Sequence, residues 1–281
     1  MGPRPPFRRD TAAIERALAR ADAAHAAGRL VEAVDGYGEA LRLAREHPVA
    51  LHRLGLIAQR SGDREAALGL FDRALASRPD FPAALRDRAL VLRRLGRLEE
   101  AIDGFRAAIA ARPDVGDAHF HLGNALQEAG RLEEAVVEFD RAVAASSKPL
   151  PAAHYNRGIA LLGLGRRAAA IEAFERSIAL APALAMAHFN LARALEEVGD
   201  RDRAVAAYRA AIAADPAYVA AHHNLGNALQ ALGDREGALA AYGVALRLDP
   251  ECFARIVNSL AAHRSGELWL DLAALRRHLA G

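Results

Sequence analysis

The chain has 281 residues, 52% of them hydrophobic and 26% charged, with a formal net charge of +2. That is enough apolar material to bury a core, and the near-balanced charge gives no footprint for a nucleic-acid backbone. The one cysteine, Cys252, excludes an intramolecular disulfide and a cysteine-built metal cage, and no apolar run reaches the roughly 18 residues of a membrane span.

The chain opens with MGPRPPFRRD, where Arg4, Arg8 and Arg9 against Asp10 supply the whole net charge. Prolines deny this stretch a helix, so residues 1–13 are expected to form a disordered basic arm, with Thr11 placed to cap the first helix. No hydrophobic signal core is present, and a cytoplasmic location is expected.

From Ile14 the sequence repeats. Seven units span 14–47, 48–81, 82–115, 116–150, 151–184, 185–218 and 219–252. Six are 34 residues long, and the fourth is lengthened at Ser146-Ser147-Lys148-Pro149. Counted from each unit's first residue, position 15 is always glycine (Gly28, Gly62, Gly96, Gly130, Gly165, Gly199, Gly233), which suits the left-handed turn that ends one helix and starts the next. Position 20 is always alanine, as expected where two helices approach closely. Position 24 is always aromatic, from Tyr37 through Phe71, Phe105, Phe139 and Phe174 to Tyr208 and Tyr242, and position 27 is alanine or Ser177. Prolines near position 32 end the second helix of most units.

In-phase helix pairs at this period resemble the tetratricopeptide repeat family, and the resemblance covers residues 14–252. It implies an all-α, right-handed solenoid of stacked antiparallel helix pairs, with the first helix of each pair lining a concave groove. It also implies a non-enzymatic scaffold or adaptor that binds other proteins, with no cofactor. The family's chaperone-binding subset builds a two-carboxylate clamp from lysine, asparagine and arginine at positions held here by His52, Leu56 and Asp87, which sets this chain apart.

Two groups of groove candidates follow. Units two and three place Arg53, Arg60, Arg86, Arg93 and Arg94 on the first-helix face, relieved by Asp87, and guanidinium groups there would favour an acidic residue at one end of a bound peptide. Position 6 is Asn156, Asn190 and Asn224, continued by Asn258, with His121 in unit four. This spacing resembles the asparagine ladder in the repeat domain of O-linked N-acetylglucosamine transferase, which implies that these amides hold the backbone of an extended polypeptide. A carboxamide suits that task, offering one acceptor and two donors to a peptide group. Four such bonds contribute only a few kcal/mol at about 1 kcal/mol each, so neighbouring contacts must add to them. Phe120, Tyr155, Phe189 and His223 at position 5, and Asn124 and Asn227 at position 9, are the candidates. The ladder asparagines are expected to be dispensable for folding.

Histidines at position 4 (His119, His154, His188, His222) recur once per unit, too far apart to converge on one ion, and are expected to pack or hydrogen-bond between helices. Gly163-Leu164-Gly165-Arg166-Arg167-Ala168 fits a dinucleotide-binding pattern only superficially, because Gly165 is the turn glycine and no strand precedes it. Residues 253–281 read as a cap: one further first helix with Asn258 in phase, a break at Ser265-Gly266, the Trp269 segment, and a closing helix from Leu272 to Leu279 behind Asp271. Two other functions stay open: a self-assembling scaffold whose first unit or Trp269 segment meets another copy, and a targeting subunit of a separately encoded glycosyltransferase.

Overall fold

The computed structural model describes residues 11–112 and 116–261, together with 276, 277 and 279. Among these it is all helical, in consecutive pairs: α1 (Thr11–Ala26) with α2 (Leu30–Leu43), α3 (Pro48–Arg60) with α4 (Arg64–Ser77), α5 (Pro82–Arg94) with α6 (Leu98–Ala111), and α7 (Gly116–Glu128) with α8 (Leu132–Ala145). The pairs continue with α9 (Pro151–Gly163) and α10 (Arg167–Leu180), α11 (Ala185–Val198) and α12 (Arg201–Ala214), and α13 (Val219–Ala231) and α14 (Arg235–Leu248). A 3-10 turn, Pro250–Cys252, then leads into α15 (Phe253–Ala261). Thr11 is already helical, so α1 starts ahead of Ile14; the arm before it, Ser265-Gly266, the Trp269 segment and Asp271 lie outside the described residues.

The chain divides into two compact units, residues 1–146 and 147–281, and the junction falls in the lengthened fourth repeat. Four helix pairs belong to the first unit, and three pairs plus α15 to the second.

One local event makes each pair. Gly130 sits at φ +76°, where its amide bonds the carbonyl of Gln127 and the Arg131 amide reaches back to Leu126, closing the last turn of α7 in a Schellman motif. The other six position-15 glycines repeat this geometry, and among the described residues only these seven have positive φ. The second helix then folds back on the first. The position-20 alanines are essentially without exposed surface, as are all seven position-24 rings, so each repeat is centred on one aromatic side chain. Ser177 replaces alanine at position 27 and satisfies its hydroxyl on the Pro151 carbonyl at 2.9 Å.

At the carboxyl end, Leu279 is 2% exposed, its carbonyl accepts from Arg247, and Arg276 lies 5.3 Å over the Phe253 ring. The described part of that segment therefore rests on α14 and α15. On α2, Leu30, Val31 and Val34 are exposed.

Candidate functional site

Consecutive first helices touch within each unit, α3 with α5, α5 with α7, and α9 with α11, so their outward sides make a continuous wall there. Position 5 builds its base. The Phe120, Tyr155, Phe189 and His223 rings lie 6.1, 5.9, 5.8 and 5.8 Å from the position-24 ring of their own repeat, and His52 lies 5.6 Å from Phe71. Each is packed on one side and, except for the buried His52, half-open on the other.

Position 6 leans toward the repeat before it. His121 stacks on Phe105 at 5.9 Å, and Asn224 donates from Nδ2 to the Tyr208 hydroxyl at 3.4 Å. Asn190 donates from Nδ2 to the Tyr155 hydroxyl and to the Met186 carbonyl, both at 3.0 Å, and is buried. Asn190 therefore ties two repeats together, with both of its amide hydrogens used inside the fold. Asn156 is half-buried and Asn258 exposed. Asn224 Oδ1 can only accept, so His223 donates to it from Nδ1 at 3.3 Å, which leaves Nε2 to accept from the Ser259 hydroxyl at 3.2 Å. Burial lowers the His223 pKa and keeps the ring neutral in that role.

Tyrosine rather than phenylalanine at position 24 sends a hydroxyl through the repeat to this wall. Each one meets an acceptor at position 9 or 12. Tyr37 donates to Asp22 at 2.6 Å, Tyr208 to Glu196 at 2.5 Å, and Tyr242 to Asn227 and Gln230 at 2.7 and 2.9 Å. Burial, followed by the neighbouring carboxylate, raises the Tyr37 and Tyr208 pKa values, so both phenols stay protonated. The Asn227 oxygen is thus committed inside the fold, whereas Asn124 lies half-buried in a phenylalanine repeat.

The arginines of repeats two and three stand beside carboxylates: Arg53 3.2 Å from Asp22, Arg86 2.9 Å from Asp87, and Arg93 3.8 Å from Glu128. Asp87 is buried and also bonds His52 Nε2 at 2.7 Å, across the gap between the second and third repeats. The first unit's wall is more nearly neutral here than its arginine content implies. Burial, then Arg93, pushes the His121 pKa down to about 4, so His121 is uncharged at neutral pH. The position-4 histidines bond locally, His119 to Glu138 at 2.7 Å, and His188 and His222 to the carbonyls of Pro182 and Pro216.

A stack of glycine-turned helix pairs centred on buried aromatics defines a helical-repeat protein. The chain belongs to the tetratricopeptide repeat family: models described as Tetratricopeptide repeat match residues 52–115, 104–149, 121–185 and 155–219, and another matches 219–252. Comparison with curated proteins gave no significant match. Among solved structures, the fold is similar to YrrB, titled a TPR protein with an unusual peptide-binding site, at 22% identity and TM-score 0.58 over 68% of this chain and 96% of that one. It is similar to MamA at 26% identity and TM-score 0.55 over 57% and 93% of the two chains. The C-terminal part of a TPR repeat-containing protein from Cytophaga hutchinsonii aligns with TM-score 0.70 at 18% identity, over 85% and 98%. Such repeats are typically protein-interaction scaffolds, and among the described residues no helix is long and apolar enough to cross a membrane.

Proposed function

We propose that the protein is a non-enzymatic, cytoplasmic interaction scaffold that takes an extended segment of a partner protein along the first-helix wall. The observation that carries this is the make-up of the second unit's wall. Tyr155, Phe189 and His223 on α9, α11 and α13 each present a half-open ring beside a carboxamide, Asn156, Asn190 or Asn224, and Asn258 on α15 follows in phase. Rings supply apolar area, and amides satisfy peptide groups without regard to side chain, which together suit an extended chain better than a folded surface. The ladder role belongs mainly to Asn156, Asn224 and Asn258, because both amide hydrogens of Asn190 are used internally, whereas Asn224 keeps one N–H beyond its bond to Tyr208.

Changing Asn156, Asn224 and Asn258 together to alanine tests this. Crosslinked pull-downs with the triple variant should lose a partner that the parent chain retains, while helicity stays close to the parent and thermal unfolding reflects no more than the lost Asn224–Tyr208 bond, about 1 kcal/mol. An identical set of partners from both proteins would remove the ladder from the binding role. Self-assembly is the second reading, favoured by exposed Leu30, Val31 and Val34 on α2, and concentration-dependent mass in solution would support it.

A further inference from the structure

Position 9 on the wall is occupied differently in each tyrosine repeat. In the first and seventh repeats it is Asp22 or Asn227, and it accepts the position-24 hydroxyl. In the sixth repeat Glu196, at position 12, takes the Tyr208 hydroxyl instead, and position 9 is Arg193. Arg193 is exposed and forms no ion pair among the described residues, unlike Arg53, Arg86 and Arg93. On α11 it stands one turn after Phe189 and one turn before Glu196, and its charge draws down the pKa values that burial raises on Glu196, Tyr208 and Tyr218.

The rings beside it form a cluster. Phe189, one turn back on α11, lies 4.9 Å from Tyr218, and Tyr155 is joined to α11 through Asn190. In that bond the Tyr155 phenol is the acceptor, so its own O–H remains to be donated. A guanidinium fork next to half-open aromatic rings has the chemistry to hold a carboxylate and an adjacent aromatic or large apolar side chain together.

We propose that Arg193 reads a carboxylate of the bound partner segment, an Asp or Glu side chain whose aromatic or large apolar neighbour lies on Tyr155, Phe189 and Tyr218. The preference for acid is thereby centred on the sixth repeat and not on the arginines of the second and third. This rests on the groove reading above. It makes Arg193 the specificity-determining residue of the second unit.

The test is an array of immobilised hexapeptides in which Glu, Gln or Lys is placed beside Phe, Leu or Ala, probed with the parent chain, R193E, R193Q and R176E. Arg176, also exposed but on the second helix α10, is the control for bulk positive charge. The parent should retain Glu-Phe and Glu-Leu peptides preferentially. R193Q should lose about tenfold in that retention, the loss of one charge-assisted contact, and R193E should shift preference to the Lys series. R176E should match the parent. An acid preference that survives R193E, or falls equally in R176E, overturns the assignment to Arg193 while leaving the groove in place. If no peptide is retained by any of the four proteins, the groove reading itself fails and this inference goes with it.

Discussion

Replacing Gly123 by alanine adds one methyl group where the fourth repeat has no room for it. A Cβ there would lie 2.7 and 2.8 Å from two carbons of the Phe139 ring, about 0.7 Å short of the 3.4 Å at which ordinary contact begins. Phe139 has no exposed surface and cannot swing outward. Overpacking of this kind costs about 1–3 kcal/mol, and alanine's helix propensity returns up to about 1 kcal/mol, so G123A should be destabilised by about 1–2 kcal/mol. Gly69 in α4 supplies the opposite case. It is exposed with nothing within 4 Å of its added Cβ, so G69A should gain about 0.5–1 kcal/mol. Urea unfolding followed by far-UV circular dichroism gives both signs, and hydrogen exchange over α7 and α8 localises the first. Where position 8 is alanine, position 23 is small: Gly36 beside Ala21, Gly104 beside Ala89, and Ala207 in the repeat of Ala192. G123A as stable as G69A would refute the argument and show that the Phe139 ring shifts freely.

Gln127 Oε1 is buried without a partner, at the position where Gln230 accepts from Tyr242, so F139Y should add a hydroxyl donor and raise stability by about 1 kcal/mol, read from the urea midpoint. D87L leaves His52 buried without its partner and should cost about 3 kcal/mol, with part of the loss recovered in the H52F/D87L double variant. The His121 pKa is depressed in the fold, so the stability tied to its neutral form is present above its ordinary 6.5 and is lost as pH falls toward about 4; H121N should flatten that acid limb. Glu196 has the opposite sign. Burial raises its pKa, so its contribution is full below its ordinary carboxylate value and is lost as pH rises through the folded value. Y208F removes a bond that pulls that pKa down, and should therefore cost more stability at pH 7 than at pH 4.

The repeat frame was legible because it rests on residues with one physical solution each. Gly130 and its counterparts are needed for a positive φ, and the position-24 rings for bulk between two helices, and both return at a fixed spacing. The chemistry of the wall was less legible because its partners sit one repeat apart or on the opposite helix. Arg53 and Arg93 read as open cations until Asp22 and Glu128 are brought beside them. Asn190 reads as a ladder amide until the Tyr155 hydroxyl from the preceding repeat reaches it. A signal was nonetheless available: Tyr37, Tyr208 and Tyr242 each coincide with an acid or amide at position 9 or 12 of the same repeat, namely Asp22, Glu196, and Asn227 with Gln230. Following it would have set Asn227 aside as an internal acceptor and singled out Arg193 as the odd residue at position 9.

The most direct test of the central claim is site-specific photocrosslinking in the native cells, with benzoylphenylalanine in place of Phe189 on the first-helix wall or of exposed Arg176 on α10. If the wall receives a partner segment, Phe189 should yield a discrete adduct whose crosslinked peptide maps to one stretch of one protein, and Arg176 should yield none. Equal adducts at both sites, or adducts from Arg176 alone, would contradict the account and move the binding surface to the second helices.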